Sequence, residues 1–289
     1  MSYSADMSKI LAECSHLAYL QYFTNDGKIK PPPGYTQVKS YTAYELDFLN
    51  VVQEFLYFTG DDEKKIIHTL ENIDSMNMDF GKEVFFGFAL TSAENNIISL
   101  RGTSNVFEWL LDMLIFQRNV PPSWYDKDYK KAKAHLGFMI MASFLVRQIW
   151  ETASLLDPCK PLYFTGHSLG AALAVLLAPS FQHKNQQFTD VQMYNYGGPR
   201  VGDPDFVKAY NAQLSNSFRV VNLSDVTPMF PPTHTLSIHY EHVGVEWSFL
   251  NQSGDILPNH LLEAPNNYIA AVDACIPTDA PRHYPVTGL

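Results

Sequence analysis

The most constraining stretch of the chain is Thr165-Gly166-His167-Ser168-Leu169-Gly170-Ala171-Ala172. It follows the short apolar run Pro161–Thr165 and opens an Ala- and Leu-rich run from Leu169 to about Phe181. A strand that turns tightly into a helix brings two backbones together at the turn. Glycines two residues either side of a serine remove the side chains that would block this approach. The serine is then presented at the apex, where it can attack a carbonyl. The N–H groups of the following helix point at the same place and favour negative charge on an oxygen there. The plainer reading is a serine that caps a helix after a glycine turn. Strand, small residues and helix together favour the catalytic reading.

Other segments supply a sheet around this turn. Val191–Tyr196 and Phe218–Leu223 read as strands, the first ending in Gly197-Gly198-Pro199. Val84–Leu90 and Asn96–Leu100 read as two strands joined by the turn Ser92–Asn95. Residues 127–157 read as one long helix with Phe138, Met141, Leu145 and Ile149 on one face. Residues 4–23 read as an N-terminal helix that packs Ile10, Leu11, Cys14, Leu17 and Ala18 on the body. Pro31-Pro32-Pro33-Gly34 marks a turn or surface loop. Strands alternating with helices predict an α/β fold, a mostly parallel central sheet with helices on both faces. With 289 residues, 46% of them hydrophobic, the chain can build such a core as a single domain over 1–289. Sheets of this kind carry ligand chemistry at the carboxyl ends of their strands.

Charge and cysteine usage narrow the partners. Twenty Lys+Arg against 30 Asp+Glu leave a net charge of −10, the opposite of a basic nucleic-acid-binding face. No apolar run reaches the roughly 18 residues that a membrane-spanning helix needs. Asp6, Lys9, Glu13 and His16 interrupt the first apolar positions, unlike a signal peptide. The expected location is therefore cytoplasmic, or secreted if a leader has been removed. Cys14, Cys159 and Cys275 lie far apart without a CxxC spacing, so they read as reduced thiols and not as a disulfide framework or zinc site.

Five blocks, in order, carry a resemblance. The segment YFTGHSLGAALAVLL from Tyr163 resembles the nucleophile elbow of the class 3, fungal-type lipases, which have the α/β-hydrolase fold. SLRGTSNVFEWLLDMLIF from Ser99 is similar to that family's oxyanion-loop and lid block. HLGF from His135 resembles the block before the elbow, and YNYGGPRVGDPDF from Tyr194 the strand after it. RVVNLSDVTPMFPP from Arg219 resembles the acid-bearing strand, with Thr227 where the family usually has Val. The resemblance covers roughly residues 80–250; the first 60 residues carry it only through an N-terminal helix.

A serine nucleophile needs a base, and the base needs an acid that orients it. Asp225 follows the strand Phe218–Leu223 directly, and the resemblance points to the same residue. Asp203 and Asp205, in GDPDF, read better as turn residues. Five histidines lie downstream of Asp225: His234, His239, His242, His260 and His283. His242, in YEHVGVEW, is expected in a strand, and alternation along it separates His239 from His242, against a metal cluster. His260 sits between a short hairpin and a helical segment, where this fold places its base. His283 is the alternative, with a longer separation from Asp225 that resembles long-tailed family members but only six residues after it. Of the oxyanion donors, one is expected from the backbone N–H of Leu169, the residue after the nucleophile. The resemblance implies Thr103 as the other.

The segment after Thr103 is almost wholly apolar, with Trp109, Leu110, Leu114 and Phe116 among its residues and only Glu108 and Asp112 as a polar stripe. A helix apolar all round is usually a core helix. Its place just after the oxyanion loop favours a lid over 104–117 that turns toward lipid at an interface. The resemblance implies a cofactor-free and metal-free serine carboxyl-ester hydrolase that cleaves acyl esters of lipids. Phospholipase A1 and feruloyl-type esterase are the alternatives within the enzymes. A non-catalytic lipase-like regulatory protein is the alternative of another class. The partner expected is a lipid or other apolar ester, at a lipid–water interface if the lid opens there.

Overall fold

A computed structural model of the protein describes residues 2–45, 48–73, 76, 80–103, 116–235, 237–263 and 267–274. Its strands in chain order are β1 (Thr36–Tyr44), β2 (Glu83–Thr91), β3 (Asn96–Leu100), β4 (Gln117–Asn119) and β5 (Lys133–His135). They continue with β6 (Leu162–His167), β7 (Val191–Tyr196), β8 (Ser217–Asn222), β9 (His234–Thr235), β10 (Ile238–His239) and β11 (Val245–Phe249). Seven of them form the central sheet in the order β1-β2-β3-β6-β7-β8-β11. The pairs β1–β2 and β2–β3 are antiparallel; β3, β6, β7, β8 and β11 run parallel. β4–β5 and β9–β10 are separate short antiparallel pairs.

Alternate residues of each strand enter opposite cores, as the two-residue period of a strand requires. Ala89, Ile98, Phe164 and Met193 face the helices Leu136–Glu151 and Leu169–Lys184. Phe88, Ile97, Tyr194 and Val220 face the N-terminal helix Ala5–Thr24 and the last described helix, Tyr268–Asp273. Every residue from Leu169 to Phe181 is buried, which is why that helix is apolar all round. The N-terminal helix begins where Ser4 Oγ accepts the Met7 N–H at 3.2 Å. It buries Leu11, Cys14 and Ala18, with Ile10 and Leu17 half-buried. Among the described residues no helix is long and apolar enough to cross a membrane.

Several expectations need correction. The long helix over 127–157 is shorter: it starts at Leu136 and ends at Glu151. Residues 127–129 form a 3-10 turn, and Lys133–His135 pair with Gln117–Asn119. Strand pairing overrides the helical pattern there, and His135 Nδ1 caps the helix by accepting the Phe138 N–H at 3.3 Å. His242 is not in a strand: it lies between the bridge residue Glu241 and β11, half-buried, with Nε2 donating to Pro228 O at 2.8 Å. Asp203 does act as a turn residue, accepting the Phe206 N–H at 2.8 Å to cap the helix Pro204–Gln213. Strand β1 and the helices Phe48–Thr59 and Glu63–Glu71 were not expected.

Candidate active site

β6 ends at His167, and the chain turns at Ser168 into the helix Leu169–Lys184. Ser168 takes φ 59° and ψ −126°, a left-handed conformation that L side chains rarely adopt, and its hydroxyl makes no capping bond. Its backbone is held by its own N–H, which donates to Tyr196 O at 3.1 Å. The flanking glycines are required by close approach. A Cβ on Gly166 would sit 2.8 Å from Leu100 O, and one on Gly170 would be 2.7 Å from the carbonyl carbon of Arg101. The loop after β3 therefore passes directly against the elbow.

Asp225 lies just beyond the carboxyl end of β8 and is buried. Its Oδ1 accepts the Thr227 N–H at 2.9 Å. Its Oδ2 accepts from Tyr268 OH at 2.6 Å and lies 2.7 Å from His260 Nδ1. Thr227 thus serves the carboxylate through its backbone, which the Val usual at that position would do equally. Gly197, at φ +57°, lets β7 close on this group: a Cβ there would be 2.9 Å from both Asp225 Oδ2 and Tyr268 OH. Burial and the Asp225 charge push the Tyr268 hydroxyl well above its ordinary range, so it stays a donor.

His260 ends the short helix Ile256–His260 and is buried. With Nδ1 on the carboxylate, Nε2 is left over. His260 Nε2 and Ser168 Oγ are both buried without a hydrogen-bond partner among the described residues. The ring of His167, beside Ser168 in the chain, lies 4.5 Å from that of His260, centroid to centroid. Burial, then the neighbouring His260, hold His167 well below the usual histidine range, so it is neutral. Its Nε2 donates to His260 O at 2.8 Å, which leaves Nδ1 to accept from Tyr19 OH at 3.0 Å.

Leu169 opens the helix behind Ser168, so its N–H belongs to the first turn, where no intrahelical acceptor exists. Thr103 is half-buried on the loop that follows β3. A Cβ on Gly102, its neighbour, would be 3.0 Å from Ser168 Cβ and 2.7 Å from His167 O, so this loop lies against the serine. Arg101 fixes the loop. It is buried, with Nε donating to Phe85 O at 2.9 Å and one terminal nitrogen to Gly102 O at 2.7 Å. Its guanidinium lies between the rings of Tyr22 and Phe86, at 3.9 and 4.0 Å from their centroids. Burial lowers its pKa to about 10. Of the residues expected in a lid, Trp109, Leu110 and Leu114 lie outside the described residues, and so do His283 and Cys275. Phe116 is exposed, and its carbonyl accepts the Leu136 N–H at 2.8 Å.

The sequence reading did not reach Tyr19, His167, Arg101, Asn222, Asn267 or, as a partner of the acid, Tyr268. His167 lies inside the elbow motif and Arg101 beside Thr103, so position alone could have raised those two. His234 and His239 stack at 4.1 Å, but among the described residues no three His, Cys, Asp or Glu side chains are arranged to hold a metal ion.

Comparison with known proteins agrees with this architecture. The family profile described as Lipase (class 3) matches residues 97–235. The chain is 30% identical over 155 residues to the secreted mono- and diacylglycerol lipase A of Penicillium cyclopium, across 52% of this chain and 47% of that protein. It is 29% identical over 163 residues to a lipase of Rhizomucor miehei, across 54% and 42%. The chain thus spans about half the length of the curated relatives it matches. Among solved structures, a triacylglycerol lipase from Penicillium expansum superimposes with a TM-score of 0.61 at 18% identity, covering 86% of this chain and 81% of that one. That likeness gives the α/β-hydrolase fold, and the segment 97–235 is similar to the class 3 lipases.

Proposed function

We propose that the chain is a serine carboxyl-ester hydrolase that cleaves acyl esters of lipids, acting as one domain. The observation that carries this reading is the buried 2.7 Å contact of His260 Nδ1 with Asp225, which leaves Nε2 unpartnered, as is the Oγ of Ser168, a serine held at positive φ. In this scheme Ser168 Oγ attacks the ester carbonyl while His260 Nε2 takes its proton. Asp225 keeps the Nδ1–H tautomer and stabilises the imidazolium that forms. The backbone N–H of Leu169 and the Thr103 donor hold the oxyanion of the tetrahedral intermediate. His260 then returns the proton to the leaving alcohol, and water activated by the same imidazole releases the acyl group. No step uses a metal or organic cofactor. The names of the relatives, a mono- and diacylglycerol lipase and a lipase, support acylglycerols as the substrate class. The apolar segment 104–117 would act as the lid.

The test is hydrolysis of p-nitrophenyl esters from acetate to palmitate, below and above the solubility limit. Wild type is compared with Ser168→Ala, His260→Ala and His283→Ala. Loss of turnover and of fluorophosphonate labelling in Ser168→Ala, with folding intact, is the expected result. Loss in His260→Ala but not His283→Ala identifies the base. A rate that rises above the solubility limit with long chains supports a lipase with an interfacial lid. Activity confined to short soluble esters favours an esterase. Absence of turnover in wild type on every ester would favour a regulatory protein that keeps the fold.

A further inference from the structure

The carbonyls of a helix's last turn have no donors within the helix and must find them elsewhere. At the end of the helix Ile256–His260 four successive carbonyls, those of residues 258–261, are each met by a side-chain N–H. Asn267 Nδ2 donates to Pro258 O at 2.8 Å and to Leu261 O at 2.6 Å. Asn222 Nδ2 donates to Asn259 O at 3.0 Å. His167 Nε2 donates to His260 O at 2.8 Å. The two asparagines are linked to each other, Asn222 Nδ2 to Asn267 Oδ1 at 3.3 Å, and both are fully buried. Asn222 also exchanges two bonds with the backbone of Asn251, N–H to Oδ1 at 3.0 Å and Nδ2 to carbonyl at 2.9 Å.

Each donor stands on an element that carries another part of the site. Asn222 is the last residue of β8, whose turn presents Asp225, and Asn222 O accepts the Asp225 N–H at 2.9 Å. His167 is the last residue of β6, next to Ser168. Asn267 immediately precedes Tyr268, which donates to Asp225 Oδ2. The backbone at residues 258–261 is therefore referenced to the acid, the serine and the tyrosine at once.

We propose that Asn222, Asn267 and His167 form a carbonyl clamp whose task is to position His260. This rests on the reading of His260 as the base. None of the three touches the ester. They fix the path of the backbone around residue 260 and hence the direction of its Cα–Cβ bond. That direction sets whether Nδ1 reaches Asp225 while Nε2 faces Ser168. The clamp uses short, rigid donors, so little side-chain freedom is available to relax the geometry.

Asn267 gives the cleanest test, because its amide holds the carbonyls on both sides of His260. Asn267→Leu keeps the approximate volume and removes both donors. Asn267→Asp keeps the shape and replaces donors by acceptors. Each variant is assayed on a soluble p-nitrophenyl ester well below its melting temperature, alone and combined with His260→Ala. Misplacement of a reacting group by about 1 Å costs on the order of 10²-fold in rate. The expected result is a fall in kcat of up to about 10²-fold with KM within about twofold. In the His260→Ala background the same substitution should cause no further fall, because it acts only through the imidazole. A loop that is merely glued in place would lower the melting temperature and leave kcat unchanged. The proposal is overturned if either folded variant keeps a kcat within about twofold of wild type. It is also overturned if Asn267→Leu lowers residual activity in His260→Ala as much as it lowers the parent. Should Asn267→Leu not fold, Asn267→Asp and Asn267→Ser carry the same comparison. Failure of the base assignment shows separately, as full activity in His260→Ala alone.

Discussion

Replacing Ser168 by glycine should give an inert protein that is more stable than the alanine variant. At φ 59° and ψ −126° the serine occupies a region that suits glycine alone. Alanine at the same place keeps the Cβ and its strain; glycine removes both. Strain of this kind is worth roughly 1–3 kcal/mol. Against it stands the greater freedom of glycine in the unfolded chain, about 0.5–1 kcal/mol relative to alanine. The difference leaves Ser168→Gly more stable than Ser168→Ala by roughly 1 kcal/mol at mid-range and up to about 2.5 kcal/mol. For a chain of this size that is up to about 4 °C in melting temperature. Both variants also lose a buried hydroxyl without a partner among the described residues, so that effect cancels between them. The assay is urea unfolding followed by tryptophan fluorescence, with a check that the slope m is equal in the two proteins. The sign decides the matter. If the glycine variant is less stable than the alanine variant by the ordinary helix or strand penalty, the turn is not strained and the argument fails.

Three further outcomes follow from the site. Tyr268→Phe removes the hydroxyl 2.6 Å from Asp225 Oδ2 and should cost about 1.5–3 kcal/mol, the range for hydrogen bonds to charged groups, read by chemical denaturation; a loss below about 0.5 kcal/mol would refute that bond as a charged one. Arg101→Lys should lower kcat with little effect on KM, because a lysine cannot sit flat between Tyr22 and Phe86 while donating to both Phe85 O and Gly102 O; an unchanged kcat would show that the loop bearing Thr103 does not depend on the guanidinium. Burial, with Arg219 and then Arg200 adding repulsion, holds His242 at about 3, so it is neutral when folded and takes up a proton on unfolding below about pH 6.5. Stability should therefore fall as pH drops from about 6.5 toward 3, by about 1.4 kcal/mol per unit for this group. His242→Gln should flatten that slope by about one proton, and an unaltered slope would remove His242 as its source.

What could be read from the sequence was local. The elbow is legible because its glycines, serine and apolar helix are contiguous, and the structure shows why each is needed where it stands. Asp225 is legible because it follows an apolar strand. The sheet's central strands carry short apolar stretches such as Ile97-Ile98 and Val220-Val221, whereas β1 reads TQVKSYTAY and is half-exposed, so its pattern is too polar to announce a strand. Pairing with β2 forms it. The start of the helix at Leu136 is equally non-local, since pairing with Gln117–Asn119 competes with helical spacing in residues 133–135. Asn222 and Asn267 are 45 residues apart and meet only in the fold. Neither asparagine carries a sign in the sequence that its amide will hold two backbone carbonyls. The contact of His260 with Asp225 depends on the same long-range closure.

The packing of the helix Ala5–Thr24 against the helix Tyr268–Asp273 has a consequence for synthesis. Leu11, Ala18, Tyr268 and Val272 share one apolar cluster, and Tyr19 near one end of the chain supports His167 while Tyr268 near the other supports Asp225. The N-terminal helix covers β2, β3, β6 and β7, but the β8 side of that face stays open until residues beyond 268 have left the ribosome. At about 5–20 residues per second, the serine spends roughly five to twenty seconds in a nascent chain before its partners exist. Ribosome-bound fragments that stop short of Tyr268 lack the hydroxyl that donates to Asp225 and leave the β8 side of the cluster, with Phe218 and Val220, uncovered.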